Sequence, residues 1–283
     1  TVKEMAGRAG YDEAFLGAGR TVGLPVAGKR HAVLDVGLPK NALPYTHFSV
    51  VMSETRRLAI VTAENIDGAL KIKLKRKDSW GYDPRIDRKF QVGHHDFYGP
   101  QPFDKGHLVR RENPGWGESE AEARLGEDDT FMYTNAAPQM PGLNQQTWLS
   151  LENYVLDSTR THGFRVSVFT GPVFRDNDPE HGGVKVPLEF WKVVVALDAD
   201  TQELLASAYL LSQESIMPVE GFRFGPFKTY QVPLRHIEEE AGIKFSKAVR
   251  DADVFRDTEA EALARALRFL EINSPEDLVL TRR

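Results

Sequence analysis

The chain has 283 residues, of which 41% are hydrophobic and 27% are charged, and its net charge is −5. These are the proportions of an ordinary globular protein, and the length suffices for one large domain or two small ones. The acidic balance excludes a protein that is basic over its whole surface, and the absence of cysteine excludes disulfides and thiolate chemistry. No apolar run approaches a membrane span and no signal peptide is recognisable. No membrane association is therefore expected, and secretion and a cytoplasmic location both stay open.

Residues 1–45 alternate glycine, proline and short apolar pieces, which indicates an N-terminal arm that packs on the domain or on a partner subunit. Two β-branched runs in residues 46–67, separated by a short polar step, predict an antiparallel hairpin. The next segment, ALKIKLKR, alternates strictly between apolar and basic residues. It predicts a half-buried strand with a cationic outer face.

The charges are segregated along the chain. Eleven basic and five acidic residues lie between Lys71 and Arg111, whereas acidic residues cluster in residues 118–129 and 238–240. This arrangement suits a groove for a polyanion on an acidic body. An ordinary solvated face is the alternative interpretation.

Residues 77–102 have no periodicity and predict a long loop, a feature that usually has a function in a compact domain. The loop contains two adjacent histidines, His94 and His95. Zinc is disfavoured there because adjacent side chains of an extended chain point to opposite faces. A zinc hydrolase that uses both of them with His107 stays open as an alternative, and stoichiometric zinc would be its signature.

The rest of the chain predicts a mixed succession of helices and strands. A short surface helix is expected within residues 118–129, and a strand, a proline-containing loop and a helix within residues 131–163. The segments FRVSVFTGPVF, PLEFWKVVVALD and ELLASAYLLS predict strands, the last two paired across the turn at residues 199–201. A short helix and a final amphipathic helix complete a single α+β domain.

The segment FDKGHLVRR, residues 103–111, contains an acid, a base, a glycine and a histidine in close succession. Gly106 would let the backbone approach another group closely, and His107 titrates near neutral pH. Taken alone, the segment equally fits a surface turn. Asn144 and Glu152 favour a functional site instead. They lie eight residues apart on one predicted helix, a rise of roughly 12 Å, so both side chains can lean toward one site but can hardly bind the same ion directly. One of these side chains can then bind an ion directly while the other acts through water, although Asn144 alone would also fit a helix N-cap.

Magnesium suits such a site, since it retains much of its hydration shell and accepts one or two protein oxygens together with substrate phosphate. The histidine would deprotonate a water for in-line attack on a phosphodiester, and the ion would stabilise the phosphate and the leaving oxygen. Arg85, in the segment DPRID, is a candidate for holding the developing charge.

Five segments in order, FDKGHLVRR, YTNAAPQ, LNQQTWLSLE, VFTGPVF and VPLEFWKVVV, resemble the motifs of the DNA/RNA non-specific endonucleases of the ββα-metal superfamily. The resemblance covers roughly residues 46–212. It implies an α+β, ββα-metal (His-Me finger) nuclease fold, with a central antiparallel sheet flanked by helices and a β-hairpin facing the metal-binding helix. The endonuclease domain would span residues 46–283 and follow the arm of residues 1–45, a packing or dimer contact.

The resemblance also implies a role for each site residue. His107 would be the general base, Asn144 the direct Mg²⁺ ligand and Glu152 an acid that acts on the ion through water, with Mn²⁺ able to substitute. Asn135 would order the histidine side of the site or the substrate. Arg85 matches the phosphate-stabilising arginine of the family.

One position departs from the family pattern. The usual D-R-G-H reads D-K-G-H here, with Lys105 in place of arginine. Lysine keeps the charge but loses the planar, two-pronged grip on phosphate, so we expect cleavage with a reduced rate or an altered substrate preference. Together with Arg85, the basic residues Lys105, Arg110 and Arg111 are expected to contact nucleic acid.

Contacts to phosphates do not read bases, and a water nucleophile needs no 2′ hydroxyl. The expected substrates are therefore DNA and RNA, single- or double-stranded, cut to 5′-phosphate products, with binding that weakens steeply with salt. The resemblance leaves a homodimer and a protein inhibitor or immunity protein open. The alternative function is a catalytically silent nucleic-acid-binding or partner-recruiting module of the same fold. The intact His107, Asn144 and Glu152 speak against it.

Overall fold

A computed structural model describes residues 1–141, 163–213, 228–256 and 270–271. The strands are β1 Val26–Ala27, β2 Ala42–Pro44, β3 Phe48–Met52, β4 Ala59–Asp67, β5 Asp104–His107, β6 Ala136–Gln139, β7 Arg165–Val173, β8 Glu180–His181, β9 Val184–Lys185, β10 Glu189–Leu197, β11 Leu204–Ser212, β12 Lys228–Val232, β13 Ile243–Lys244 and β14 Leu270–Glu271. The α-helices are α1 Glu120–Asp129, α2 Leu234–Ala241 and α3 Lys247–Asp251. Short 3-10 turns lie at Pro39–Asn41, Arg88–Phe90 and Tyr133–Asn135, and one π-helical turn lies at His94–Tyr98.

The described strands build an eight-stranded sheet in the order β14-β12-β11-β10-β7-β4-β3-β2, in which neighbouring strands are antiparallel. The hairpin predicted within residues 46–67 is confirmed as β3 and β4. The pairing predicted across residues 199–201 is confirmed as β10 and β11. The fold class expected from the sequence, a central antiparallel sheet in an α+β domain, is therefore confirmed.

The two faces of this sheet pack against different parts of the chain, because side chains alternate along each strand. In β10, Phe190 packs on the same side as Leu108 and Val109, which directly follow β5. We call this side the hairpin face. Trp191 packs on the opposite side with Ile237 of α2, and we call that side the helix face.

Residues 1–45 are built into the domain. Tyr11 and Phe15 join the core of the helix face, and the Tyr11 hydroxyl donates to the carbonyl of Val22 at 2.7 Å. The strand β1 pairs with β13, and β2 extends the large sheet beside β3. The arm therefore packs on the domain. Its boundary at residue 45 and a contact with a partner subunit stay predictions.

The segment ALKIKLKR differs from its prediction. Only Lys71 is paired, in an isolated bridge to Trp116, and no ladder follows it. Ile72 and Leu74 are half-buried while Lys73 and Lys75 are exposed, so the alternation of environments is present without the strand. The physical reason is that alternation of apolar and basic residues indicates an extended backbone with one buried face. It does not indicate that a neighbouring strand is hydrogen-bonded to it.

The predicted surface helix is confirmed as α1. It begins at an N-cap, because the Ser119 side chain accepts from the Glu122 amide at 3.2 Å, while the Glu122 side chain accepts from the amide of Glu118 at 2.9 Å. The predicted helix carrying Asn144 and Glu152 lies outside the described residues, as does most of the segment predicted to form the final amphipathic helix. At the end of that segment the prediction is wrong, because Leu270–Glu271 form β14, which pairs with β12. Within the described ranges, the helices are too short or too polar to cross a membrane.

Candidate active site around His107

The pairing of β5 with β6 places His107 at the end of a strand. His107 lies opposite Ala136, and Asp104 lies opposite Gln139. A Cβ atom at Gly106 would come within 2.1 Å of Cδ of Gln139, so any other residue here would force the buried Gln139 side chain to move. The glycine of the D-K-G-H segment therefore has a packing reason.

Asn135 fixes the backbone that follows His107. Its Oδ1 accepts from the amide of Val109 at 2.8 Å, and its Nδ2 donates to the carbonyls of Val109 at 2.9 Å and Thr130 at 3.0 Å. Its own carbonyl accepts from the amide of Leu108 at 3.0 Å. The Asn135 side chain is fully buried. These contacts fix the backbone of Val109, and the predicted role of Asn135 in ordering the histidine side of the site or the substrate stays a prediction.

The His107 imidazole lies against aromatic rings. Its centroid is 4.7 Å from that of Trp80 and 5.1 Å from that of Phe131, which it meets nearly perpendicularly. Its Nε2 atom is buried and has no hydrogen-bond partner among the described residues. Burial, aided by the positive charge of Arg76, lowers the pKa of His107 to about 3. The ring is therefore neutral at neutral pH, as a general base requires.

Two charged residues upstream act on this imidazole and were given no role from the sequence. Arg76 donates from Nε to Oδ1 of Asp78 at 2.6 Å and from Nη2 to Oδ2 at 3.0 Å, and both side chains are exposed. Arg76 lowers the pKa of His107, and Asp78 raises it. Nearby, Nζ of Lys105 lies 5.5 Å from the centroid of the Trp80 ring. The cluster of basic residues in the sequence pointed to this part of the chain, but it did not identify Arg76 or Asp78 as neighbours of His107.

Arg85, the predicted phosphate-stabilising arginine, is engaged within the fold. Its Nη2 donates to the buried carboxylate of Asp83 at 2.6 Å, and its Nη1 donates to the carbonyl of Pro44 at 2.6 Å. Its guanidinium carbon lies 4.6 Å from the centroid of the Tyr45 ring. A phosphate would have to compete with Asp83 for Arg85, and the predicted role of Arg85 stays a prediction.

Arg110 and Arg111 are also engaged with carboxylates. Arg110 donates to Glu112 at 3.2 Å, while Arg111 donates to Glu112 and, at 2.6 Å, to Glu127. The side chains of Arg110 and Arg111 are only 15% and 14% exposed. Their predicted contact with nucleic acid stays a prediction.

The predicted metal ligands, Asn144 and Glu152, lie outside the described residues. Among the described residues, no group of three or more His, Asp or Glu side chains is arranged to hold a metal ion. His94 and His95 lie on the π-helical turn, both exposed, with ring centroids 5.4 Å apart. The described part of the chain therefore does not assemble the three histidines of the zinc alternative.

The geometry defines a class of protein. An α+β domain carries a two-stranded pair with a half-buried histidine on one face of a large antiparallel sheet, as in the ββα-metal nucleases. A solved crystal structure of the EndoG/EndoGI complex shares this fold, with a TM-score of 0.56 and 23% identity over 74% of this chain and 86% of that chain.

The family follows from the sequence match. A family model described as DNA/RNA non-specific endonuclease matches residues 31–252. The match covers most of the chain, and the chain belongs to the DNA/RNA non-specific endonuclease family.

Individual relatives are similar over different shares of the chain. The uncharacterized protein y4fB of Sinorhizobium fredii is 40% identical over 286 aligned residues, 93% of this chain and 42% of that protein. Mitochondrial endonuclease G of Bos taurus is 33% identical over 155 residues, 50% of this chain and 48% of that protein. A nuclease of Nostoc is 29% identical over 153 residues, 52% of each chain. The chain thus spans about half or less of the length of these relatives.

Proposed function

We propose that the chain is a Mg²⁺-dependent, sugar-non-specific endonuclease that hydrolyses phosphodiester bonds of DNA and RNA to 5′-phosphate products, with His107 as the general base. The observation that carries this proposal is the state of His107. Its Nε2 is buried without a partner among the described residues, and its lowered pKa keeps the ring neutral. A neutral imidazole with an unengaged nitrogen can accept a proton from a water molecule.

The residues around His107 support this role. Trp80 and Phe131 flank the imidazole, and burial keeps the ring unprotonated, so that one ring nitrogen has a lone pair for a proton. The two hydrogen bonds between the Asn135 side chain and the backbone of Val109 restrain the strand end that carries the base. The chain thus supplies a positioned base, and a general base of this kind contributes typically about 10²–10⁴-fold to the rate.

Asn144 is proposed to bind Mg²⁺ directly and Glu152 through water. An amide oxygen and a carboxylate are hard oxygen donors of the kind that magnesium prefers, and Mn²⁺ is expected to substitute. When bound, the ion would stabilise negative charge on the phosphate and on the leaving 3′ oxygen.

Cations around Arg76 and beside Trp80 are proposed to hold the nucleic acid backbone. Lys73, Lys75 and Lys77 are exposed on either side of Arg76, and the half-buried Lys105 lies beside Trp80. Such groups bind phosphates and position a strand without reading its bases. This supports both DNA and RNA as substrates, single- or double-stranded.

A homodimer and a protein inhibitor or immunity protein are further proposals for the partners of the chain.

Digestion of supercoiled plasmid and of RNA with Mg²⁺, and again with chelator, tests the proposal. We expect both substrates to be cut only with the metal, and the cut ends to be ligatable without added kinase because they carry 5′ phosphates. If the protein binds both nucleic acids but cuts neither with Mg²⁺ or Mn²⁺, the catalytically silent module is the correct reading.

A further inference from the structure

A polar cavity is lined by residues other than those that surround His107. Its volume is about 490 Å³, and it opens where the turn after β3 meets the segment after β7. Its polar lining includes Arg30, His31, Ser53, Thr55, Arg56 and Arg175. None of these residues takes part in the contacts described for His107, and nothing in the proposed nuclease reaction uses them.

Arg56 lines this cavity, and one of its donors is unengaged. Its Nη1 donates to the carbonyl of Arg175 at 3.0 Å, and its Nη2 donates to the carbonyl of Lys185 at 3.2 Å and to the carboxylate of Asp178. Its Nε is buried and has no hydrogen-bond partner in the described part of the chain. A buried N–H group without a partner costs free energy, which a bound acceptor would recover.

Arg175 and Arg30 bring two further guanidinium groups. Arg175 bonds Glu189 through Nε at 3.1 Å and Glu240 through Nη2 at 2.7 Å, which leaves its Nη1 without a described hydrogen bond. Arg30 donates one Nη2 bond to the Glu240 carbonyl and forms no ion pair within the described residues. Burial, aided by the charge of Arg175 and opposed by that of Glu240, lowers the pKa of Arg30. An anion between Arg30 and Arg175 would relieve their repulsion.

The carboxylates around the cavity are mostly engaged. Asp178 pairs with Arg56, while Glu189 and Glu240 pair with Arg175. Asp176 lines the cavity and is exposed to solvent. The unengaged hydrogen-bonding groups that remain include guanidinium donors of Arg30 and Arg175, which suit the oxygens of a phosphate, beside the exposed side chains of Asp176 and Asn177.

One wall of the cavity is aromatic. The guanidinium carbon of Arg56 lies 4.5 Å from the centroid of the Phe174 ring, and the His31 ring meets Phe174 edge-on at 6.0 Å. Nε2 of His31 is engaged with the carbonyl of Ala241 at 2.8 Å. A phosphate alone would leave much of the volume unused. Small-molecule sites of roughly 300–1,000 Å³ hold ligands the size of a nucleotide.

We propose that this cavity is a binding site for a small phosphate ester of mononucleotide size. Its phosphate is held by Arg30, Arg56 and Arg175, and its organic part fills the remaining volume of the cavity. The site is separate from the catalytic one, so the proposal does not depend on the nuclease reaction.

Calorimetric titration of the intact chain with 5′-AMP, adenosine and inorganic phosphate tests the proposal. Chelator is present throughout, which removes metal-dependent binding near His107. We expect 5′-AMP to bind, adenosine not to bind, and inorganic phosphate to bind more weakly than 5′-AMP. Absence of 5′-AMP binding at millimolar concentration would overturn the proposal, as would equal affinity for inorganic phosphate.

Charge reversal locates the binding. Arg30→Glu and Thr55→Glu each place a carboxylate at the cavity and are expected to weaken 5′-AMP binding by about tenfold or more. The matched control is Arg20→Glu, another arginine of the arm, which donates to the carbonyl of Gln202 at 3.1 Å outside the cavity. Circular dichroism melting checks that all three variants fold. Affinity that is unchanged in both cavity variants, or lowered equally by the control, would contradict the assignment.

Discussion

The side-chain amide of Asn135 clasps the backbone of Val109, with Oδ1 accepting from the amide at 2.8 Å and Nδ2 donating to the carbonyl at 2.9 Å. Val109 lies two residues beyond His107, so the clasp fixes the strand end that carries the proposed base. A buried asparagine thereby links the stability of the fold to the geometry of the site.

Asn135→Ala should therefore lower both stability and cleavage. The substitution leaves buried backbone groups of Val109 and Thr130 without partners, which should cost about 3 kcal/mol. Urea unfolding measures the free energy of unfolding, and initial rates on plasmid measure cleavage. Asn177→Ala, at an exposed asparagine, is the control and should change neither. A variant at residue 135 with wild-type stability would show that the clasp is not structural.

The lowered pKa of His107 predicts how stability depends on pH. The pKa is about 3 in the folded chain and about 6.5 in the unfolded chain, so the unfolded state binds the proton more readily between these values. The contribution of His107 is fully present above pH 6.5 and is lost as the pH falls toward 3. His107→Phe, which keeps a ring against Trp80, should show a shallower loss of unfolding free energy over this range. Parallel curves for the two proteins would contradict the assignment.

Arg76 and Arg85 are expected to respond differently to substitution. Arg85→Ala leaves the buried Asp83 carboxylate without its arginine, which should destabilise the fold by about 3–5 kcal/mol. Arg76→Ala removes only an exposed pair, with a stability cost under about 1 kcal/mol, and should lower the cleavage rate through the lost cation near His107. Thermal unfolding and single-turnover rates separate the two effects. A stable Arg85→Ala variant with a large loss of rate would favour Arg85 as the phosphate-stabilising arginine.

Lys105→Arg restores the planar, two-pronged cation of the family signature. We expect the rate on at least one of plasmid DNA, single-stranded DNA and RNA to change, because arginine can bind a phosphate through two parallel hydrogen bonds. Lys105→Gln, which removes the charge, should lower the rate on all three. Rates for Lys105→Arg that match wild type on every substrate would show that the difference is neutral.

The sequence predicted the sheet better than it predicted the site. Long β-branched runs such as those of β4 and β10 are typical of buried strands, so the antiparallel sheet could be predicted from them. The pattern of ALKIKLKR could not show that Lys71 would pair only once, because alternation does not identify a hydrogen-bonded neighbour. The motif identified His107. The effect of Arg76 on the pKa of His107 could not be predicted, because the two residues lie in segments separated by a long loop. Arg85 illustrates the same limit, since only the fold shows it engaged with Asp83.

Single-turnover cleavage of supercoiled plasmid with Mg²⁺ by wild type, His107→Ala and His95→Ala tests the central claim most directly. We expect His107→Ala to bind DNA as wild type does and to cut at least about 10²-fold more slowly, as loss of a general base requires. His95→Ala, an exposed histidine on the π-helical turn, should cut at the wild-type rate. A His107→Ala variant that cuts nearly as fast as wild type would contradict the account.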